Sequence, residues 1–390
     1  MSHPAIYRRI MVLTGEPSGD VHAGQLVSEI KKLDPDIHFT GIGGPHLEHE
    51  KVDLFYPISK LSAMGITEVV VQFRQIMQAF DRFKKKLRQQ RYDLLILVDY
   101  PGFNLKAAEY AKRNHNIPVL YFITPKVWAW KKSRLNRIKS FVDHAALILP
   151  FEEKIYKKAG IPATYVGNPL MDEYPDHLTR AFQKQTKANH SSQITIGLLP
   201  GSRRSEVNRL LPVMLKSADL IRQKQKGVRF VISNAGSVKK QDLEQILATG
   251  ETDAGFEVFQ GPVRDIFSVS DLIIAASGTV TLEAALYGIP TILIYKMSYI
   301  SFSIAKIFVE LQYAGLANLI VDKEVMPELL QGDATPGRIS RKVIRMLGEL
   351  EFYQDQLTLV RRFLGNNGAS KRAAAIALQL MRRTAPLQAI

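Results

Sequence analysis

Cysteine is absent from the 390 residues. That excludes disulfide frameworks, iron–sulfur clusters, thiol catalysis and cysteine-ligated zinc, and it fits a reducing compartment. No apolar run reaches the roughly 18–20 residues that a membrane-spanning helix needs. The opening MSHPAIYRRIMVLTGEPSGD has two arginines, a short apolar run and then Gly and Pro, so it does not read as a secretory signal. The expectation is a cytoplasmic protein that meets any membrane from outside. Low-complexity stretches are missing too, and 46% hydrophobic with 23% charged residues suits a soluble chain with a core. At about 100–200 residues per domain, the length predicts two domains. Acids are outnumbered: 52 Lys and Arg against 37 Asp and Glu leave a net charge of +15. That charge suits an anionic partner (nucleic acid, anionic lipid or a phosphorylated metabolite) or simply a lysine-rich solvated surface.

Short apolar runs alternate with longer amphipathic stretches. Residues 10–14, 37–42, 93–98, 118–123 and 145–149 read as strands, with 93–98 (DLLILV) the clearest buried one. Near-continuous apolar strands separated by helices predict a parallel sheet covered on both faces, a doubly wound α/β domain over residues 1–172. The polar segment 173–192 reads as a linker plus an exposed helix. A second alternation, 194–199, 228–233, 256–259, 272–275 and 291–294, predicts a second α/β domain over 193–350. The last forty residues read as helical.

Ligands of such sheets bind beyond the carboxyl ends of the strands, and two facing domains leave a cleft that is the default binding site. In the second half, the turn Pro200-Gly201-Ser202-Arg203-Arg204 follows an apolar strand. Gly201 admits close backbone approach, Ser202 suits a helix cap, and Arg203 and Arg204 bring guanidinium groups suited to phosphate. The alternative is a capped turn with two solvated arginines. The run 277–283 places Ser277, Gly278, Thr279 and Thr281 at a strand-to-helix turn, with Glu283 one turn on. Hydroxyls and helix N–H groups there suit a phosphate, and a carboxylate at 283 suits the vicinal hydroxyls of a ribose. Glu283 also reads as a favourable acid near a helix N-terminus.

In the first half, Gly15 and Gly19 form a tight turn with Glu16, Ser18 and Asp20 at its mouth and His22 just beyond. Asp99 ends the DLLILV strand and leads into Tyr100-Pro101-Gly102-Phe103-Asn104, the place for a general base or, more blandly, a helix cap. Trp128 and Trp130 are followed by a basic stretch with Lys131, Lys132, Arg134, Arg137 and Lys139, suited to nucleic acid, an interfacial membrane contact or a phosphosugar, or to a core tryptophan beside a solvated helix. Residues 61–91 join apolar positions (Met64, Ile66, Val70, Phe73) to a basic cluster (Lys84, Lys85, Lys86, with Arg88 and Arg91). That combination fits a helix on an anionic membrane or an amphipathic helix packed on its own sheet. Asp34-Pro35-Asp36 lies in a proline turn on the wrong edge of the sheet, and His46-x-x-His49 stands alone, so no metal and no cofactor are assigned.

The motifs GEPSGD (15–20), GIGGP (41–45), MGITEV (64–69), DYPGFN (99–104), PKVWAW (125–130), VGNPL (166–170), LLPGSRRSE (198–206), SGTVTLEAALYGIP (277–290) and NLI…PELLQ (318–331) follow one another in a recognisable order and spacing. With them the chain resembles bacterial lipid-A-disaccharide synthase over nearly its whole length. The resemblance implies a GT-B architecture of two Rossmann-like domains, with C-terminal residues 351–390 crossing back to the first. It implies an inverting, metal-independent glycosyltransferase that joins UDP-2,3-diacylglucosamine to 2,3-diacylglucosamine 1-phosphate through a β-1,6 bond and releases UDP. It implies peripheral contact with the inner face of the bacterial inner membrane, and a homodimer is compatible with it. On this resemblance Asp99 is the first choice of base and Glu16 the second. The leaving diphosphate meets Arg203, the Ser277–Thr279 turn and a helix dipole, and Glu283 holds the ribose. Trp128, Asn104 and the residues of the first turn belong to the acceptor side, and Asn318 and Gln331 match a stretch near the donor. Asn168 stands where many relatives have histidine, and Gly102 where some have a second aspartate. Two alternatives stay open: another GT-B enzyme such as a UDP-sugar 2-epimerase, and a basic module binding nucleic acid. The carboxylates of 15–20 and 99–104 argue against a polyanion.

Overall fold

The computed structural model describes residues 8–61, 69–128, 133–174, 193–234, 247, 255–296 and 312–384. The chain divides into two compact units, one formed by Met1–Asp172 with Asn366–Ile390, the other by Glu173–Gly365.

The first unit is built on a seven-stranded parallel sheet. Its strands are β1 (Arg9–Leu13), β2 (His38–Gly43), β3 (Asp53–Pro57), β4 (Leu94–Val98), β5 (Val119–Phe122), β6 (His144–Leu147) and β7 (Ala163–Tyr165), in the order β3-β2-β1-β4-β5-β6-β7. Every side chain of β4 is buried, as its unbroken apolar run demands of a strand covered on both faces. Each such residue contributes roughly 1.5–3 kcal/mol by leaving water. One face packs Phe83, Leu87, Phe103 and Ile138; the other packs Leu26, Val27 and Ile30 from helix Pro17–Leu33.

The helix Ala369–Thr384 completes that second face through Ala373, Ala374 and Ala377. Arg372 fixes its start by donating to the carbonyl of Val166 at 2.7 Å. The sequence reading put the return to the first unit near Glu351. Instead Leu350–Leu364 stays with the second unit, burying Tyr353 in the core there, and the return comes at Asn366.

The second unit carries a six-stranded parallel sheet. Its strands are β8 (Thr195–Leu199), β9 (Arg229–Ser233), β10 (Glu257–Phe259), β11 (Leu272–Ala276), β12 (Thr291–Tyr295) and β13 (Glu328–Leu330), in the order β10-β9-β8-β11-β12-β13. Helix Arg204–Lys224 buries Leu210, Leu211, Met214 and Ile221 against it, with Ile339 and Val343 of helix Pro336–Leu347 in the same core. Among the described residues, no helix is long and apolar enough to cross a membrane.

Candidate active site

Strand order reverses between β1 and β4 in the first sheet and between β8 and β11 in the second. A crevice opens at such a switch point, beyond the carboxyl ends of the strands. In the first sheet the two turns there are 14–20 and 99–104; in the second they are 200–206 and 277–279. These are the turns that the sequence singled out. The register Ala275↔Leu199 makes the last two direct neighbours.

The turn after β4 is under backbone strain. Asp99 and Tyr100 both have positive φ, 49° and 44°. Asp tolerates this conformation; a bulky aromatic does so at a cost of about 1–3 kcal/mol. Two hydrogen bonds hold the turn by the Asp99 carbonyl, which accepts from Asn104 Nδ2 at 2.7 Å and from the Tyr121 hydroxyl at 2.8 Å. Asn104 is fully buried and also donates to the Val98 carbonyl at 3.1 Å. Asn104 thus shapes the loop that presents Asp99. Burial, and then the neighbouring Glu16 carboxylate, push the Asp99 carboxyl above its ordinary range. A carboxylate made more basic at the end of a buried strand is suited to accept a proton at neutral pH. Gly15 is required beside it, because a Cβ there would stand 2.2 Å from the Tyr100 ring.

Other residues of the first unit have structural partners. Asp20 is buried and accepts from the backbone N–H groups of Gly44 at 2.7 Å and His46 at 2.8 Å, tying helix Pro17–Leu33 to the short helix Pro45–His49. Glu16 and Ser18 are exposed at the start of helix Pro17–Leu33, and burial lowers the pKa of His22. Asn168 is 3% exposed; its amide donates to the Ile148 carbonyl at 3.1 Å and its oxygen accepts from Leu170 N–H at 3.0 Å. Asparagine at this position therefore pins a turn.

Trp128 lies beyond β5, half-buried, with its ring edge-on to Phe151 at 5.2 Å. Its indole N–H donates to Glu152 Oε1 at 2.9 Å. Glu152 is 2% exposed, and burial pushes its carboxyl up to about 7. Sequence reasoning missed this acid, because Glu152-Glu153 reads as an ordinary acidic first helical turn.

In the second unit Gly201 has φ 112°, and a Cβ there would meet Glu206. The backbone of this turn already has a partner within the chain. Glu206 Oε2 accepts from Ser202 N–H at 3.2 Å and Arg203 N–H at 3.4 Å, so a carboxylate of the first turn satisfies backbone donors at the start of helix Arg204–Lys224. Those amides serve the helix, and Arg203 Nη1 donates to Glu206 Oε1 at 3.4 Å; Ser202, Arg203 and Arg204 are all exposed. Across the switch point Gly278 and Thr279 are exposed at the start of helix Thr279–Tyr287, and Ser277 is half-buried. Thr281 is fully buried, its hydroxyl spent on the Gly278 carbonyl at 2.8 Å. Glu283 is one turn further on the face of Thr279, half-buried, and burial raises its pKa.

Asn318, fully buried, ties a loop together. Its oxygen accepts from Val325 and Met326 N–H, each at 2.8 Å, and its amide donates to Glu328 Oε1 and the Met326 carbonyl, each at 2.7 Å. Gln331 follows β13 at φ 51°, a further strained position beyond a strand's carboxyl end.

Of the residues expected at a membrane, Met64 and Ile66 lie outside the described residues, as does the side chain of Val70. Phe73 is 63% and Met77 42% exposed on helix Val69–Gln89, while Ala79, Phe83 and Leu87 are buried in the core. The helix therefore has both an inward and an unburied apolar face. Lys84 pairs with Asp81 at 2.7 Å and Lys86 with Asp53 at 3.1 Å. A cavity of about 540 Å³ opens at the amino ends of β4 and β5, lined by Arg91, Tyr92, Asp93 and His115, at the other end of these strands from the 99–104 turn.

The family profile described as lipid-A-disaccharide synthetase matches residues 10–380. The lipid-A-disaccharide synthase of Trichlorobacter lovleyi is 38% identical over 380 residues, covering 97% of this chain and 98% of its own. That of Syntrophus aciditrophicus is 39% identical over 378 residues, 96% and 98% of the two chains. Two solved structures share the fold at low identity. The UDP-GlcNAc 2-epimerase of Neisseria meningitidis, bound to UDP-GlcNAc, has a TM-score of 0.61 at 12% identity, covering 96% of this chain and 100% of that one. Acinetobacter baumannii MurG has a TM-score of 0.59 at 15% identity, covering 95% and 99%. The two doubly wound sheets have the architecture of GT-B glycosyltransferases. With the match running from β1 into the last helix, the chain belongs to the lipid-A-disaccharide synthase family of glycosyltransferases.

Proposed function

We propose that the chain transfers the diacylglucosaminyl group of UDP-2,3-diacylglucosamine to the 6-hydroxyl of 2,3-diacylglucosamine 1-phosphate, with inversion and without a metal. The products are the β-1,6 disaccharide 1-phosphate and UDP. The observation that carries the reading is the placement of paired motif turns at each switch point: a strained carboxylate turn in the first sheet, an arginine turn beside a helix N-terminus in the second.

Asp99 takes the proton of the acceptor hydroxyl as that oxygen attacks the anomeric carbon opposite UDP. Glu16 is the second candidate and meanwhile raises the basicity of Asp99. The bond from the anomeric carbon to the diphosphate breaks, and its electron pair goes to the leaving oxygen. Arg203, Arg204 and the dipole of helix Thr279–Tyr287, with Ser277 and Thr279, meet that charge. Glu283 accepts from the ribose hydroxyls. Trp128, Ser18 and His22 face the acceptor, while Asn104, Asn168, Asp20 and Asn318 shape the loops that hold it or the donor. Both substrates carry acyl chains, so the enzyme works peripherally on the cytoplasmic face of the inner membrane, with Phe73 and Met77 toward the lipid. Family membership does not favour the epimerase or nucleic-acid alternatives.

Turnover of UDP-2,3-diacylglucosamine in detergent, with and without the monophosphate acceptor and with a chelator throughout, tests this. Disaccharide forms only with acceptor present. UDP release or epimerisation without acceptor would overturn the transferase reading, and loss of rate on chelation would overturn metal independence.

A further inference from the structure

Glu283 is held by a residue 109 positions away: the Tyr174 hydroxyl donates to Glu283 Oε2 at 2.8 Å. Tyr174 is 8% exposed, and its ring packs edge-on against Tyr287 at 5.9 Å. Its main chain is fixed as well, because Arg361 Nη2 donates both to the Tyr174 carbonyl and to the Leu286 carbonyl. Leu286 and Tyr287 end the same helix that carries Glu283. Two side-chain contacts and a bridging arginine thus lock one residue to one helix.

The chemistry of the contact is selective. Arginine or lysine against Glu283 would neutralise it, and arginine would take both oxygens at once. A phenol takes one oxygen and leaves the carboxylate its charge. We propose that Tyr174 is a positioning residue for nucleotide recognition, holding Glu283 in the orientation in which its carboxylate receives the ribose hydroxyls. This rests on the reading that Glu283 is the ribose contact. Burial, and then the Glu283 charge, keep the Tyr174 hydroxyl protonated, so the donor is present throughout the physiological range.

Calorimetric titration of the full chain with UDP, 2′-deoxy-UDP and 3′-deoxy-UDP tests it. Wild type binds UDP about tenfold or more tighter than at least one deoxy analogue, as expected of a hydroxyl bonded to a charged acceptor. Tyr174→Phe keeps the ring contact with Tyr287, so its melting temperature stays near that of wild type. It weakens UDP by about tenfold and the discriminated analogue by less than about twofold, so the discrimination collapses. Arg361→Gln frees the Tyr174 carbonyl while keeping the phenol, and moves discrimination the same way by a smaller factor. Equal weakening of all three nucleotides, or full discrimination retained in both variants, overturns the positioning role. Absence of discrimination in wild type, or wild-type UDP binding by Glu283→Gln, overturns the ribose reading itself, and the role of Tyr174 falls with it.

Discussion

The indole N–H of Trp128 is bonded at 2.9 Å to a carboxyl, that of Glu152, which is almost entirely out of water. Burial dominates its titration and lifts it from the ordinary 4.5 to about 7, against the opposing pull of Trp128, the Leu149 N–H and Lys126. Tyr156 and Tyr165 also feel its charge. The fold thus favours the protonated acid. Its contribution to stability is complete below the unfolded value, declines as pH rises, and is gone above about 7. The full swing is on the order of 3 kcal/mol. Glu152→Gln, which keeps an acceptor for Trp128, should remove that slope. Urea midpoints at pH 5 and pH 8 check this; an unchanged wild-type slope in the variant refutes it.

Asp99→Asn should lower kcat by about 10²–10⁴ with little change in UDP affinity, as removal of a general base does. Because the fold raises the Asp99 pKa, the acid limb of the wild-type kcat/KM profile should lie above the ordinary aspartate range. A loss under about tenfold, or an acid limb surviving in the variant, would give the role to Glu16.

Asn104→Leu removes a buried donor from the Val98 carbonyl and one of the two donors from the Asp99 carbonyl. We expect a destabilisation of about 1–3 kcal/mol and a fall in kcat, since the strained Asp99-Tyr100 turn then keeps only its Tyr121 tether. Gly15→Ala reaches the same turn by pressing on the Tyr100 ring. Denaturant melts with kinetics of both variants decide it; wild-type rates in either show that the turn tolerates movement.

How much of this was legible in residue order depends on range. Continuous apolar runs such as DLLILV announced the central strands, and the turns closing them announced both switch points. The edge strands Asp53–Pro57, Ala163–Tyr165 and Glu328–Leu330 did not show, because short, half-exposed edges need no unbroken apolar run. Local pattern also gave no sign of Glu206: the turn 200–204 reads as a place for phosphate, and nothing in residue order shows this carboxylate closing on the Ser202 and Arg203 amides. Tyr174 against Glu283 and Trp128 against Glu152 were invisible, since nothing in 109 or 24 residues of separation encodes a meeting.

Phe73→Asp with Met77→Asp should release the protein from anionic vesicles in flotation. Reversing Lys84, Lys85 and Lys86 to Glu should weaken attachment mainly at low salt, since Lys84 and Lys86 already have acidic partners. Continued flotation of the double aspartate variant refutes that face as the lipid contact.

The grip of Arg361 on Tyr174 and Leu286 also governs how the second unit can be handled in isolation. A fragment trimmed to 193–350 would retain the arginine turn and Glu283 yet discard both residues that steady that glutamate. Its poor affinity for UDP would then be an artefact of the scissors. An excised piece meant for soaking or inhibitor screening has to run from Glu173 to Gly365.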